Sequence, residues 1–294
     1  MFSVVITTKD RLAFLKRAVQ SVLDSNTLPV EIIIINDAGE LFDLSDLDSL
    51  EVDIRVVNNS VSRGANYCRN LGVETSVSQY IFFLDDDDAV EPSSFQSRLD
   101  ILLANPKVGL VYTGIKIVES SDLNRVVREV FPSDVNDYLI TLLDTGNVIG
   151  STSRVAVRKK VFEKSGRFDE KLGSLQDYDL WIRMSMECKI SHDSLTSVIY
   201  TIHTNNKQVS SNYIRYLDSG IYLAEKYQES LKKRGLYNRF LSGIFLRIAI
   251  SASSTSFKDQ VKFSLKSFLL RPTFKALILM LIPGTLLKRF YSYT

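Results

Sequence analysis

Cysteine is nearly missing from this chain. Cys68 and Cys188 are the only two in 294 residues, they stand far apart, and neither belongs to a C-x-x-C pair. A disulfide framework and a thiolate zinc site are therefore excluded, and buried free thiols are expected. No G-x-G-x-x-G follows the first apolar run, and G-x-x-x-x-G-K-[ST], H-E-x-x-H and EF-hand spacings are absent too. That removes dinucleotide-dependent dehydrogenases, P-loop enzymes, zincins and EF-hands. The longest apolar stretch near the carboxyl end, Ala276 to Ile282, stops at Pro283-Gly284, well short of the about 20 residues that span a bilayer. The amino terminus enters a strand-like run, Phe2-Ser3-Val4-Val5-Ile6, with no basic segment and signal-type apolar core before it, so a cytosolic location is expected. Internal repeats and low-complexity linkers are also lacking.

What is present is 45% hydrophobic content, enough for a substantial core, and a lopsided charge. Residues 211 to 294 hold 14 basic and 4 acidic side chains, a net of +10, which leaves 22 against 30, a net of −8, for residues 1 to 210. Runs at Ser3 to Thr7, Glu31 to Ile35, Asp53 to Val57, Tyr80 to Leu84 and Val108 to Tyr112 read as strands with helices between them. The unbroken Ile32-Ile33-Ile34-Ile35 implies burial on both faces, as in a mostly parallel α/β sheet. Leu12, Leu15, Val19, Val22 and Leu23 recur at helical spacing, and Asp10 reads as the N-cap of that helix.

Past residue 113 the pattern is less regular. Helices are expected around Asp137 to Leu143, from Asp177 (with Leu180, Met184 and Cys188 on one side) and over 213 to 250; strands are expected at Arg154 to Arg158 and Ser197 to Ile202. Near the carboxyl end Phe257, Val261, Leu265, Phe268 and Leu269 make one helical stripe beside Lys258, Lys262 and Lys266, and Leu286-Leu287-Lys288-Arg289 follows. Two placements are open for this basic amphipathic segment: on the main domain, or on an anionic membrane surface, toward which each basic residue adds about 1 kcal/mol. Its interleaved Phe and Leu suit a helix face better than a base-stacking platform, so no nucleic-acid partner is expected.

Ligands of such a sheet bind outside the carboxyl ends of its strands. There the sequence places Thr7, Thr8, Asp10 and Arg11, then Asn36 and Asp37, then four consecutive aspartates, Asp85 to Asp88. Crowded carboxylates repel one another unless cations or hydrogen-bond donors neutralise them, and hard oxygen ligands suit Mg²⁺ or Mn²⁺. Nucleoside-diphosphate chemistry fits this set.

Five segments carry a family resemblance: Val4 to Arg11, Glu31 to Gly39, Arg63-Gly64-Ala65 with Arg69 to Gly72, Phe83 to Asp88, and Gln176-Asp177-Tyr178-Asp179-Leu180-Trp181. In that order they resemble family 2 glycosyltransferases. The resemblance implies a GT-A fold, a Rossmann-like α/β fold whose mostly parallel central sheet is flanked by helices. Residues 1 to 210 would form the nucleotide-sugar-binding and catalytic domain, and 211 to 294 a helical C-terminal extension.

By the same resemblance Thr7, Thr8 and Asp37 line the base and ribose pocket, with Asp10 and Arg11 among the donor-binding groups, and Arg63, Gly64 and Arg69 cover the nucleotide's far side. Asp37 reads equally as a turn residue and Arg69 as an ion-pair partner. Asp85 faces the ribose and Asp87 holds the metal, although the run permits the shifted register of Asp86 and Asp88, one of which could instead cap the helix begun near Glu91-Pro92. Asp177 is implied as the base that deprotonates the acceptor, with Asp179 positioning or structural. Gln176 stands where the family very often has glutamate, and Trp181 offers either a stacking face for the acceptor or a core residue. His203, in Tyr200 to Asn206, is implied to reach the metal or the diphosphate.

The expectation is an inverting, Mn²⁺- or Mg²⁺-dependent transferase moving a sugar from a nucleotide donor, most simply a uridine diphosphate sugar. The acceptor would be a saccharide or lipid-linked saccharide of a bacterial surface polysaccharide, met at the cytoplasmic face of the membrane. Its rivals are a sugar nucleotidyltransferase, which lacks support because no Gly-rich basic loop follows the first strand, and an inactive nucleotide-sugar-binding protein at the membrane.

Overall fold

The structure, a computed structural model, describes residues 1–47, 51–203, 213–253 and 255–283. The expected boundary at 210/211, Thr204-Asn205-Asn206 and Leu286-Leu287-Lys288-Arg289 lie outside the described residues. The chain divides into two compact units: one of 1–136, 149–170 and 180–204, the other of 137–148, 171–179 and the described part of 205–294.

In the first unit β1 (Phe2–Thr8), α1 (Leu12–Leu23), β2 (Glu31–Asn36), β3 (Asp53–Asn58), α2 (Ala65–Thr75) and β4 (Tyr80–Asp85) alternate. β5 (Ala89–Val90), α3 (Ser94–Ala104), β6 (Val108–Tyr112), β7 (Ile115–Glu119) and β8 (Asp122–Val130) follow. α4 (Tyr138–Thr145) belongs to the second unit. The chain then runs through β9 (Val155–Arg158), α5 (Lys159–Lys164), α6 (Gln176–Glu187), β10 (Lys189–His192) and β11 (Val198–Ile202).

The described strands form a seven-stranded sheet, β10-β6-β9-β4-β1-β2-β3, and a four-stranded one, β5-β11-β7-β8. β3, β2, β1 and β4 run parallel, β10 runs parallel to β6, and only β9 is reversed. This is the mostly parallel sheet expected. Its isoleucine run serves two layers: Ile32 and Ile34 face Leu15, Val19, Val22 and Phe95, whereas Ile33 and Ile35 face Cys68. Each such side chain contributes about 1.5–3 kcal/mol when fully buried. α2 approaches β1 so closely that a Cβ at Gly72 would overlap the Val5 side chain.

Register brings the site together. Thr7 pairs with Ile35 on one side and Asp85 on the other, so the chain ends carrying Thr8, Asp37 and Asp86 leave the sheet side by side. The hairpin β7–β8 lies where the sequence pattern is weakest; β8 is mostly exposed and polar, and the pairing has register shifts at Val118. Asp10 is not the cap of α1. Arg11 takes that position without a side-chain bond, while Asp10 has φ 55° and accepts from the Glu40 N–H.

The second unit continues with α7 (Tyr213–Lys226), α8 (Gln228–Lys233), α9 (Tyr237–Ala252), α10 (Phe257–Leu270) and α11 (Phe274–Leu281). Asp137 caps α4 by accepting from the Ile140 N–H, and Ser256 and Thr273 cap α10 and α11. α10 turns Gln260, Phe263, Ser264 and Ser267 inward and leaves Phe257, Leu265 and Leu269 exposed. Among the described residues no helix is long and apolar enough to cross a membrane.

Candidate active site

The aspartate run alternates. Asp86 and Asp88 are buried, while Asp85 and Asp87 are half-exposed at the end of β4, the register in which Asp85 and Asp87 face outward. Neither inner carboxylate caps α3, because each is spent elsewhere. Asp86 accepts from Thr8 Oγ1 at 2.7 Å and Arg11 Nη1 at 3.1 Å; Asp88 accepts from Ser153 Oγ at 2.6 Å and the Thr201 N–H at 2.9 Å.

Burial pushes the Asp86 carboxyl up to about 6, against the pull of Thr8 and Arg11, and the charges of Asp87 and Asp85 add to the rise. Asp88 is raised for the same first reason.

The outer pair has different company. Asp85 Oδ1 binds Arg69 Nη2 at 2.6 Å, and Thr152 Oγ1 reaches both its oxygens. Arg69 is thus an ion-pair partner, buried beside the Phe168 ring. Asp87 Oδ2 meets Arg11 Nη1 at 2.8 Å and His203 Nε2 at 2.7 Å. His203 arrives one residue past β11, and Arg17 ties that strand down by donating to Asp87 O and Thr201 Oγ1.

Asp37, beyond β2, is committed to a loop. Its oxygens accept from the Arg63 and Gly64 N–H groups at 2.7 and 2.9 Å, from Ser62 Oγ at 2.6 Å and from Asn59 Nδ2 at 3.1 Å. Burial raises its pKa, but the backbone donation from Arg63, then Ser62, Gly64 and Asn59, outweighs this and holds it well below the ordinary carboxylate range. Those four bonds fill a carboxylate's acceptor capacity. In this arrangement Asp37 holds the 59–64 loop, and a direct bond from it to a base or ribose would displace one of the four. Gly64 sits at φ 85° before α2, where a side chain would be strained, and the Arg63 guanidinium lies 3.9 Å from the Tyr67 ring centroid.

In the second unit Asp177 opens α6. Its Oδ2 accepts from Asn147 Nδ2 at 3.0 Å and its Oδ1 from the Tyr178 N–H. Arg247, bonded to Tyr216 Oη at 3.2 Å, contributes positive potential to the same neighbourhood. Asp179 is structural: fully buried, it pairs with Lys226 Nζ at 2.8 Å and accepts from Tyr227 Oη at 2.7 Å. Gln176 is half-buried at the start of α6, and Leu175 before it holds φ 59°. Trp181 corrects an expectation. It is fully buried and donates Nε1–H to Gly150 O beside Phe168, so it has no face to offer a sugar.

The sequence model of Glycosyl transferase family 2 matches residues 3–166, more than half of the chain. The chain belongs to this family. A glycosyltransferase of Haemophilus influenzae is 25% identical over 236 residues, 79% of each chain. The O-antigen biosynthesis glycosyltransferase WbnJ of Escherichia coli is 24% identical over 83% of this chain and 94% of its own. Crystal structures of S. aureus TarS 1-349 in complex with UDP and with UDP-GlcNAc superpose with TM-scores of 0.57 and 0.58 at 12% identity, over 100% and 99% of this chain and 92% and 91% of theirs. At that identity the likeness is one of fold, and the fold is GT-A.

This family 2 glycosyltransferase brings Thr8, Arg11 and Asp85 to Asp88 into one hydrogen-bonded cluster with His203. Asp177 and Gln176 stand in the other unit. Among the described residues no three His, Cys, Asp or Glu side chains converge as a ready-made cation site; Asp87 and His203 are a pair. Sequence reasoning missed Arg17, Thr152, Ser153, Asn59 and Asn147. Polar residues outside any motif gave no signal.

Proposed function

We propose that this transferase moves a sugar from a nucleoside diphosphate donor, most simply a uridine diphosphate sugar, to a saccharide or lipid-linked saccharide. The acceptor would be met at the cytoplasmic face of the membrane, in the making of a surface polysaccharide. The observation that carries the reading is the meeting of His203 with Asp87, 116 residues apart, at 2.7 Å beside the outward Asp85. The UDP complexes of TarS and the O-antigen biosynthesis role of WbnJ support donor and pathway.

Asp87 and His203 fit a divalent cation. Their facing atoms are 2.7 Å apart, near the about 3 Å between neighbouring ligands bound at about 2.1 Å, and water and diphosphate oxygens would complete the shell. Bound there, Mn²⁺ or Mg²⁺ would stabilise the charge developing on the departing nucleoside diphosphate. Asp87 already has a guanidinium from Arg11 on the same oxygen, so Arg11 balances part of the cluster's negative charge and would be placed to donate to a diphosphate bound there.

For transfer, Asp177 takes the proton of the acceptor hydroxyl as its oxygen bonds to the anomeric carbon and the bond to the diphosphate oxygen breaks, with inversion. Asn147 fixes one Asp177 oxygen so that the other lone pairs keep one orientation. The test is a nucleotide-sugar screen with Mn²⁺, reading nucleoside diphosphate release with and without a lipid-linked acceptor. Asp177→Asn is expected to keep metal-dependent donor binding and lose transfer by about 100-fold or more; full transfer by that variant would remove Asp177 from the role.

A further inference from the structure

The geometry points to an anionic lipid surface as the partner of the outward face of α10 and α11. A helix on a water-soluble domain buries its apolar stripe and shows its polar one; α10 instead buries a largely polar face and leaves Phe257, Leu265 and Leu269 exposed beside its lysines. Its inward face carries Gln260, Ser264 and Ser267 around Phe263. Two of these polar groups are satisfied internally: Ser267 Oγ donates to Ser242 O at 2.9 Å, and Gln260 Nε2 donates to Leu279 O and Ile282 O at 2.8 and 2.7 Å. The small serines let α9 and α10 pack closely, and Gln260 fastens the end of α11.

Outward, Leu265 and Leu269 are 46% and 73% exposed, and on α11 Phe274 and Leu281 are 75% and 71% exposed with Leu277 between them. Single exposed apolar residues are ordinary. A ridge at helical spacing on two successive helices marks an interaction face.

Charge selects the occupant. Residues 257 to 283 hold Lys258, Lys262, Lys266, Arg271 and Lys275 against one acid, Asp259. That acid is engaged by Ser256 Oγ and Tyr213 Oη. Lys258, Lys262 and Lys266 are exposed on the same helix as the exposed leucines, and the Lys262 and Lys266 ammonium groups lie 5.3 Å from the Phe263 and Phe245 ring centroids, respectively, so their stems run over apolar surface. Leucines level with lysines match the boundary between acyl chains and anionic headgroups. A second copy would set five positive charges against five across a twofold contact, which disfavours self-association.

This deepens the membrane placement proposed above and is independent of donor, metal and acceptor. Its test therefore reads binding by the full chain without substrate, beside transfer to a soluble acceptor. In co-sedimentation with phosphatidylcholine vesicles, with and without phosphatidylglycerol, binding is expected only when the anionic lipid is present. Lys258→Gln/Lys262→Gln/Lys266→Gln should lower the partition by about 100-fold, and Leu265→Ser/Leu269→Ser/Phe274→Ser should lower it by about tenfold or more while the far-ultraviolet circular dichroism is unchanged. Equal binding to neutral vesicles, parent-like binding by either variant, dimerisation lost in the leucine variant without vesicle binding, or tighter binding to an oligonucleotide would each overturn the proposal.

Discussion

Raising the pH of the metal-free protein from about 4 to about 7 should cost it stability at the aspartate cluster. The Asp86 carboxyl is pushed from 3.8 to about 6, by burial first. Between those values the folded protein keeps a proton that the unfolded chain has released. Its contribution is therefore fully present below 3.8 and is lost as pH climbs through about 6. The gap corresponds to about 3 kcal/mol. Asp88 moves in the same direction and steepens the fall. Asp37 is held low instead, so its contribution is present above 3.8 and is lost only as pH drops further, outside this window.

Trp181, the only tryptophan, is buried in the same unit as the cluster, so its fluorescence in urea titrations reports this unfolding. Asp86→Asn keeps an acceptor for the Thr8 hydroxyl and removes the titrating charge. Its curve should be shallower across the window and higher than that of the parent at neutral pH by up to about 3 kcal/mol. A parent stability that is flat or rising between pH about 4 and about 6, or an Asp86→Asn variant weaker than the parent at pH 7, would refute the reasoning.

Other outcomes follow from packing and pairing. Gly72→Ala should lose about 1–3 kcal/mol in urea because its Cβ overlaps Val5, and Val5→Ala in the same chain should recover part of that loss. Asp179→Ala removes the buried carboxylate that Lys226 Nζ and Tyr227 Oη bind and should cost about 3–5 kcal/mol in calorimetry, well above the cost of Asp179→Asn. Asn147→Ala should lower kcat by about tenfold with donor affinity unchanged, because it removes a hydrogen bond that orients the Asp177 carboxylate.

The parallel core was legible because its isoleucine run is too apolar for anything but a strand buried on both faces. The aspartate run announced an electrostatic site for a similarly local reason. The same local reading could not choose which carboxylates face outward. That depends on Thr8 and Ser153, whose hydroxyls draw Asp86 and Asp88 inward and come from distant parts of the chain. Asp37 read as a ligand group or a turn residue, and only the fold shows the four donors of the 59–64 loop gathered around it. Trp181 was ambiguous because an aromatic at helical spacing serves core and stacking alike. In α10 the periodicity was clear and its direction was not: Phe257, Leu265 and Leu269 stay exposed with the lysines, and a third face, Gln260, Phe263, Ser264 and Ser267, packs inward.

The family match ends at residue 166, yet β11 is an interior strand of the four-stranded sheet and carries the chain to His203. A chain cut at the end of the matched segment would keep the aspartate run and lose its histidine neighbour, and it would leave the edges of β5 and β7 bare. Unpaired edges of this kind invite strand addition from other molecules. The segment that the family model matches is thus shorter than an expressible enzyme, and a fragment trimmed to it should aggregate before its chemistry could be assayed.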